Sequence, residues 1–199
     1  MSRMMEEVLL LGRVEAGKLA CRPAPMDLAV FGQRIVDELT SATNGRCLMR
    51  FIAPPGLAEA QADEALLRHI FTNLLNNAAK YSPPGSVVEF QLEARGHLAL
   101  FTVRDRGIGI PEADARLLFQ AFHRGRNVGD TPGTGLGMTI VKRCVELHGG
   151  KIAFESKEGQ GTTFIVALPL FGPPTGGNGD HTTQFIREAA RGQSLTFIS

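Results

Sequence analysis

Apolar side chains recur at helical spacing in four segments of the chain. In the first, Met4, Val8 and Leu11 repeat every three or four residues. This period predicts helices over 4–20, 28–42, 64–81 and 139–147, with a shorter helical stretch over 114–122. Asp27 and Asp63 immediately precede two of these segments and are expected to cap their first turns. Prolines follow the helices over 4–20 and 64–81, and paired glycines follow 139–147; these residues are expected to end the three helices.

Alternating or continuously apolar runs between these helices predict strands over 47–53, 87–94, 98–105, 152–156 and 162–168. A short turn at Arg95-Gly96-His97 joins the second run to the third and predicts a hairpin. Pairs of strands alternate with helices, but a regular βαβ repeat is missing. The order favours an α+β sandwich with helices on one face of the sheet and argues against a Rossmann-type sheet.

Composition narrows the class of protein. The chain has 199 residues, 21 Lys and Arg, and 20 Asp and Glu, which gives a net charge of +1. This balance argues against general capture of nucleic acid or of an anionic membrane. No apolar run approaches the ~20 residues that span a bilayer. The three cysteines have neither disulfide nor zinc spacing, so a cytoplasmic location is expected. We expect no membrane contact by this chain, and a membrane anchor in other segments of a parent protein stays open.

The helix predicted over 64–81 carries an unusual polar stripe. Leu67, Phe71, Leu74, Leu75 and Ala78 form its apolar face, whereas Asn73, Asn77 and Lys80 share another arc, flanked by Tyr81. An amide oxygen can bind Mg²⁺, which prefers hard oxygen ligands shared with phosphates, and a lysine can neutralise those phosphates. The alternative interpretation is a solvated polar face.

Two glycine-rich stretches carry further candidate chemistry. Asp105 continues the inward row of Phe101 and Val103, where a carboxylate needs a donor such as the amine of a base or a nearby backbone N–H. The segment 133–137, GTGLG, opens a predicted helix and can form an anion site. The alternatives are an Asx turn at Asp105 and a flexible hinge at 133–137. The roughly twenty residues from 112 to 132 between the two stretches are long enough for a functional lid.

In this order, the stretches resemble the ATP-binding domain of sensor histidine kinases, within the gyrase, chaperone, kinase and mismatch-repair ATPase superfamily that has the Bergerat fold. The N box is matched by NLLNNAAKYSPPG, the first glycine box by DRGIGIP, the F box by LFQAFHRG, and the second glycine box by GTGLGMTIVKRCVELHGG. The resemblance covers 24–169 and implies a two-layer α/β sandwich with a mixed sheet, preceded by an N-terminal helix. Upstream, LLLGRVEAGKLACRPAPMDL resembles the second helix of a dimerisation hairpin. We therefore expect part of that hairpin in 1–22, the catalytic domain in 23–170 and a flexible Gly/Pro-rich tail in 171–199.

The resemblance implies ATP and Mg²⁺ as ligands and assigns roles by residue. Asn77 is expected to coordinate Mg²⁺, with Asn73 in support and Lys80 on phosphate. Tyr81 is expected to pack against adenine, and Asp105 to accept a hydrogen bond from the adenine amino group. The remaining expected contacts are Gly107 and Gly109 at the adenine, Phe122 and Arg124 in the lid, and Gly133, Thr134, Gly135, Leu136 and Gly137 around the triphosphate.

The function that the resemblance implies is transfer of the ATP γ-phosphoryl group to a histidine, and then to a response regulator, by a homodimer joined through its dimerisation helices. The five histidines all lie after the second hairpin helix. We therefore expect the phosphoacceptor to lie outside this chain and the isolated chain to be unable to phosphorylate itself. Three alternatives stay open: a gyrase-type ATPase, which carries a glutamate base where Asn73 stands; an anti-sigma-factor-type kinase or partner-binding module; and a non-catalytic nucleotide-gated module.

Overall fold

The computed structural model describes residues 3–55, 57, 59–129, 131–172, 181–189 and 196–197. Within them the helices are α1 (Arg3–Glu15), α2 (Leu28–Ala42), α3 (Glu64–Tyr81), α4 (Glu112–Ala115), α5 (Gly137–Leu147) and α6 (His181–Ala189), with a 3₁₀ turn at Arg126–Val128. The strands are β1 (Ala24–Met26), β2 (Leu48–Ile52), β3 (Ala60–Ala62), β4 (Val87–Arg95), β5 (Leu98–Arg104), β6 (Lys151–Lys157), β7 (Gly161–Pro169) and β8 (Thr196–Phe197).

The main sheet is mixed. Its strand order is β2-β4-β5-β7-β6-β8, and β2 runs parallel to β4, whereas every other neighbouring pair is antiparallel. The hairpin predicted between β4 and β5 is present, with Arg95 paired to Leu98. Strands β1 and β3 form a separate antiparallel pair, which the sequence pattern did not predict. The predicted α/β sandwich with a mixed sheet, preceded by an N-terminal helix, is confirmed.

Helices α2, α3 and α5 share one core with the sheet. The predicted apolar face of α3 is buried, and Phe71 at its centre contacts Phe90 on β4 and Phe101 on β5, with ring centroids 5.0 and 4.9 Å apart. Burying this face leaves the Asn73, Asn77 and Lys80 arc of α3 beside the segment that connects β5 to α5. Packing of α3 therefore decides which of its polar side chains reach a common space.

Both predicted N-caps are confirmed. Asp27 accepts hydrogen bonds from the Ala29 and Val30 amides, and Asp63 accepts one from Leu66 N at 3.1 Å. Asp63 Oδ2 also accepts from Arg22 N at 2.9 Å, so the same side chain ties the segment after α1 to the start of α3.

His148 ties the end of α5 to the start of α3. Its Nε2 accepts a hydrogen bond from Asp63 N at 3.3 Å, and its Nδ1 is 2.9 Å from Cys144 O. Together these contacts select the neutral tautomer with the proton on Nδ1, because Nε2 acts as an acceptor. Burial is the main cause that lowers the pKa of His148 below its ordinary value.

We expect acid to destabilise the protein through His148. The pKa is lowered on folding, so the stabilisation is complete above the unfolded pKa of about 6.5 and is lost as the pH falls from there through the folded pKa. His148→Ala should lower the unfolding free energy by about 2 kcal/mol at pH 7.5 and by less at pH 5. Urea denaturation of both proteins across this range measures the difference. An equal loss at both pH values would contradict this role.

The end of the chain differs from the expectation. The prediction of a flexible tail over 171–199 is wrong for α6 and β8, and residues 173–180, 190–195 and 198–199 lie outside the described residues. Helix α6 buries Ile186 against the opposite face of the sheet, where Leu100, Ala153, Ile165 and Ala167 form a second small core. Four apolar residues on that face of the strands provide the surface that α6 covers, so helices lie on both faces.

Two other helix boundaries differ from the prediction. Helix α1 ends at Glu15 instead of residue 20, and α4 is a single turn over Glu112–Ala115 instead of a helix over 114–122. Residues 119–122 bond instead to α5 and the segment before it: Phe122 N donates to Gly135 O at 3.0 Å, and Phe119 O accepts from Thr139 Oγ1 at 3.1 Å. In the part of the chain that is described, no helix combines the length and apolar character needed to cross a bilayer.

Candidate functional site

A cavity of about 850 Å³ lies between α3, the ends of β5 and β7, and residues 107–137. Eleven of the fourteen predicted site residues line it: Asn73, Asn77, Lys80, Tyr81, Asp105, Gly109, Arg124, Gly133, Thr134, Gly135 and Gly137. The volume is in the range of small-molecule sites. Residues from three separate sequence stretches therefore converge on one ligand-sized space.

Asp105 is a buried carboxylate held by backbone amides. Its Oδ1 accepts hydrogen bonds from Gly107 N at 2.8 Å and from Thr162 N at 3.2 Å, and the residue is 9% exposed. The first contact is the Asx turn of the alternative interpretation, so the turn and the cavity position coexist. Oδ2 receives no hydrogen bond from the described residues. Burial raises the pKa of Asp105 to about 6, and the two amide donors oppose that rise.

The polar stripe of α3 presents oxygens and a cation. Asn73 donates from Nδ2 to His69 O at 2.8 Å, and Asn77 donates from Nδ2 to Met138 Sδ at 3.3 Å. Because the amide nitrogens serve as donors within the protein, Oδ1 of each side chain is the group suited to a cation or a water. Lys80 Nζ lies 4.7 Å from the centre of the Tyr81 ring and 3.1 Å from the Tyr81 hydroxyl.

The glycines of 133–137 keep space open beside this stripe. A Cβ added to Gly133 would lie 2.9 Å from Lys80 Nζ, and one added to Gly137 would lie 2.7 Å from Asn73 Oδ1. Gly137 also begins α5, so the helix N-terminus points free amides toward the same region. An ammonium group, free amides and glycine backbone together make this part of the cavity suited to an anion such as phosphate.

The base of the lid is anchored by Asp114, which sequence analysis did not select. Its Oδ2 accepts a hydrogen bond from Arg126 N at 2.8 Å, and its side chain is almost fully buried. Asp114 Oδ1 lies 3.8 Å from His123 Nε2, and neither atom has a hydrogen-bond partner among the described residues. Asn127 Nδ2 adds a bond to Gly109 O at 3.0 Å. These contacts join residues 109–127 into one folded segment instead of an open loop.

Three predicted site residues do not line the cavity. Gly107 packs against the end of α3, where an added Cβ would lie 2.5 Å from Tyr81 O. Leu136 is fully buried in the core. Phe122 has a positive φ of 65° and a side chain that is 62% exposed, so it turns away from the cavity. Arg124 does line the cavity, but its guanidinium donates to Thr131 O and so stabilises the fold of the lid.

Other residues that line the cavity were not predicted from the sequence. Thr162 and Phe164 come from β7, Met138 from α5, and Glu7 from α1. Their residue types are ordinary and their sequence distances from the motifs are large. Only the pairing of β5 with β7 brings Thr162 beside Asp105, with Thr163 opposite Arg104.

Comparison with known proteins assigns this chain to a family. Residues 62–172, more than half of the chain, match the family described as histidine kinase-, DNA gyrase B-, and HSP90-like ATPase. The chain belongs to this family. The matched residues contain α3, β4 to β7, α5 and most of the residues that line the cavity.

Curated relatives of this ATPase-family chain are histidine kinases. It is 38% identical over 174 residues to the circadian input-output histidine kinase CikA of Synechococcus elongatus, covering 83% of this chain and 23% of that protein. It is 35% identical over 169 residues to the sensor-like histidine kinase SenX3 of Mycobacterium tuberculosis, covering 83% of this chain and 41% of that protein. The chain therefore spans well under half the length of these relatives.

Solved structures show the same fold. A crystal structure of full-length ShkA in complex with AMPPNP is 26% identical, with a TM-score of 0.75, covering 86% of this chain and 36% of that one. The mycobacterial sensor histidine kinase MprB is 28% identical, with a TM-score of 0.65, covering 76% of this chain and all of that one. The layered arrangement of sheet and helices is thus shared with histidine kinase structures.

Proposed function

We propose that this chain is the ATP-binding catalytic domain of a sensor histidine kinase, and that it presents the γ-phosphoryl group of ATP to a histidine. The observation that carries the proposal is one cavity that joins a buried carboxylate, Asp105, to a cationic glycine-lined region at Lys80 and Gly133. The carboxylate suits the amino group of adenine, and the cationic region suits the phosphates.

Mg²⁺ fits the residues present. Asn77 Oδ1 is a hard oxygen ligand on the same helix face as Lys80, and Gly137 keeps Asn73 Oδ1 uncovered. When bound, Mg²⁺ neutralises phosphate charge and orients the phosphates for transfer. We propose Asn77 as its ligand and Asn73 as the supporting oxygen.

The chain's own residues act by position and charge. In phosphoryl transfer the protein supplies mainly alignment and neutralisation of the phosphate oxygens. Asp105 orients the base, Lys80 neutralises phosphate, and Gly133 and Gly137 let backbone amides approach. Asn73 has no basic oxygen that could take a proton from water, which favours transfer to a histidine over hydrolysis. The gyrase-type alternative is therefore not favoured.

The proposal extends to partners and location. The relatives named as histidine kinases support a response regulator as the final phosphoryl acceptor and a dimer formed through the helices that α1 belongs to. Residues 1–22 are then a part of the dimerisation hairpin and 23–170 the catalytic domain. A cytoplasmic position fits three free thiols, two of them buried.

The experiment that tests the proposal combines binding and labelling. Calorimetry should give saturable 1:1 binding of ATP·Mg²⁺, and γ-labelled ATP should leave no phosphate on the five histidines of the chain. A dimerisation hairpin with a phosphoacceptor histidine, supplied in trans, should become labelled. Absence of ATP binding, or labelling of the isolated chain on one of its own histidines, would contradict the proposal.

The role of Asn77 predicts a specific loss. In Asn77→Ala, the gain in ATP affinity caused by Mg²⁺ should fall by about tenfold, because the metal loses its protein oxygen. Asn77→Asp is the matched variant: it keeps an oxygen ligand and should retain the Mg²⁺ effect. Titrations of ATP with Mg²⁺ and with EDTA measure that effect. A full Mg²⁺ effect in Asn77→Ala would remove Asn77 from this role.

A further inference from the structure

A carboxylate from outside the ATP-binding motifs reaches the cavity. We infer that Glu7 of α1 is an affinity-determining residue of the nucleotide site, which opposes binding in proportion to the number of phosphates. The inference rests on the proposed function, since it concerns the same cavity. It adds α1 to a site that the sequence motifs assign to residues 73–137 alone.

The contact is direct. Thr134, in the second glycine box, donates a hydrogen bond from Oγ1 to Glu7 Oε2 at 2.6 Å, and the same Oγ1 accepts one from Leu136 N at 3.2 Å. Glu7 is partly buried and lines the cavity. The Thr134 hydroxyl is therefore already bonded to an oxyanion, the Glu7 carboxylate, and a phosphate would present the same kind of group to it.

Helix α1 is held in this position by packing. It lies against α5, and Leu11 at its core side is 8% exposed. Glu7 is one turn before Leu11 and so points to the same side of the helix. Burial lowers the pKa of His69, and the Glu7 carboxylate opposes that shift, which places its charge near α3 as well. Glu7 thus stands between the glycine box and the polar stripe of α3.

The charged groups around Glu7 indicate which part of the nucleotide its carboxylate would repel. Lys80 Nζ lies against Gly133, the residue before Thr134, so the carboxylate stands at the cationic end of the cavity. A negative charge there offsets the attraction that Lys80 and the α5 N-terminus exert on phosphates. Asp105, which suits the base, is bonded instead to the Gly107 and Thr162 amides. The penalty from Glu7 therefore grows with phosphate charge and spares the base.

Glu7→Gln isolates the charge, because glutamine keeps the shape and still accepts from Thr134. Calorimetric titration of the whole chain with ATP, ADP and adenosine should show a gain of about fivefold for ATP, a smaller gain for ADP and none for adenosine. Glu6→Gln is the matched control: Glu6 is exposed on the same helix, and its removal changes the net charge equally. It should leave all three affinities within about twofold. Circular dichroism and thermal melts establish that both variants fold.

Two outcomes would overturn the inference. Equal affinities in Glu7→Gln and the original chain would show that the carboxylate does not oppose phosphate. Weaker ATP binding in Glu7→Gln with Mg²⁺ but not with EDTA would make Glu7 a metal ligand. Failure of the proposed function is a separate result, since it would appear as no ATP binding in the original chain and in both variants.

Discussion

Replacing Asp105 with asparagine is expected to weaken ATP binding by about 100-fold while the protein stays folded. The carboxylate is anchored through Oδ1 by the Gly107 and Thr162 amides, so its orientation is set before any ligand arrives. Asparagine keeps that anchor through its carbonyl oxygen. Its amide nitrogen then takes the position of Oδ2 and meets the adenine amino group donor to donor.

The same substitution should stabilise the protein without nucleotide. Burial raises the pKa of Asp105 from 3.8 to about 6, so folding costs free energy whenever the carboxyl is ionised in the unfolded chain. That cost is complete above about pH 6 and disappears below about pH 4, where both states are protonated. Asp105→Asn should therefore raise the unfolding free energy by roughly 1–3 kcal/mol at pH 7.5, and the gain should vanish as the pH falls through this window.

Calorimetry with ATP and urea denaturation between pH 4 and 7.5 measure the two effects. Glu155→Gln, on β6, is a carboxylate-to-amide control outside the cavity-lining residues and should alter ATP affinity by less than about twofold. Unchanged ATP affinity in Asp105→Asn would remove Asp105 from the adenine role. A stability gain that persists at pH 4 would show that ionisation is not its cause.

Gly161→Ala is expected to destabilise the protein strongly. Gly161 begins β7 with a φ of 106°, and an added Cβ would lie 2.2 Å from Asp105 O and 2.8 Å from Arg106 Cα. Both neighbouring atoms belong to the backbone, so the turn between β6 and β7 must move away from the end of β5. We expect a loss of about 3–5 kcal/mol in unfolding free energy, together with weaker ATP binding because Asp105 is displaced.

Gly159→Ala in the same turn is the matched control. Gly159 also has a positive φ, 75°, but none of the described residues would lie within 4 Å of its added Cβ. Backbone strain alone should cost about 1 kcal/mol. Urea denaturation of both variants separates backbone strain from steric overlap. Equal denaturant slopes in the two variants exclude an effect on the unfolded state. Similar losses in the two variants would contradict the steric explanation.

Local patterns predicted much of the fold and the chemistry. The caps at Asp27 and Asp63, the buried face of α3 and the β4–β5 hairpin depend on residues a few positions apart, whose periodicity and turn chemistry are visible in the sequence. The stripe of Asn73, Asn77 and Lys80 is of the same kind, since one helix turn brings these side chains to one side.

Features that depend on distant segments did not follow from the sequence pattern. The pattern gave no sign of the β1–β3 pair or of α6, because short strands and a tail helix are stabilised by surfaces that other elements provide. Phe122 was expected at the nucleotide, but its backbone bonds to Gly135 and turns its ring outward. Glycine motifs identify a region, whereas the direction of each side chain in it depends on long-range hydrogen bonds.

The sequence by itself determined that helices and strands form a layered domain and that amides, a lysine and an aspartate lie near glycine-rich turns. The tertiary structure decided that these groups share one cavity and that burial raises the pKa of Asp105. It also brought Glu7 to Thr134, a contact between residues 127 positions apart. The physical reason is that periodicity encodes which face is buried, whereas burial depth and charge neighbours arise only when distant segments pack.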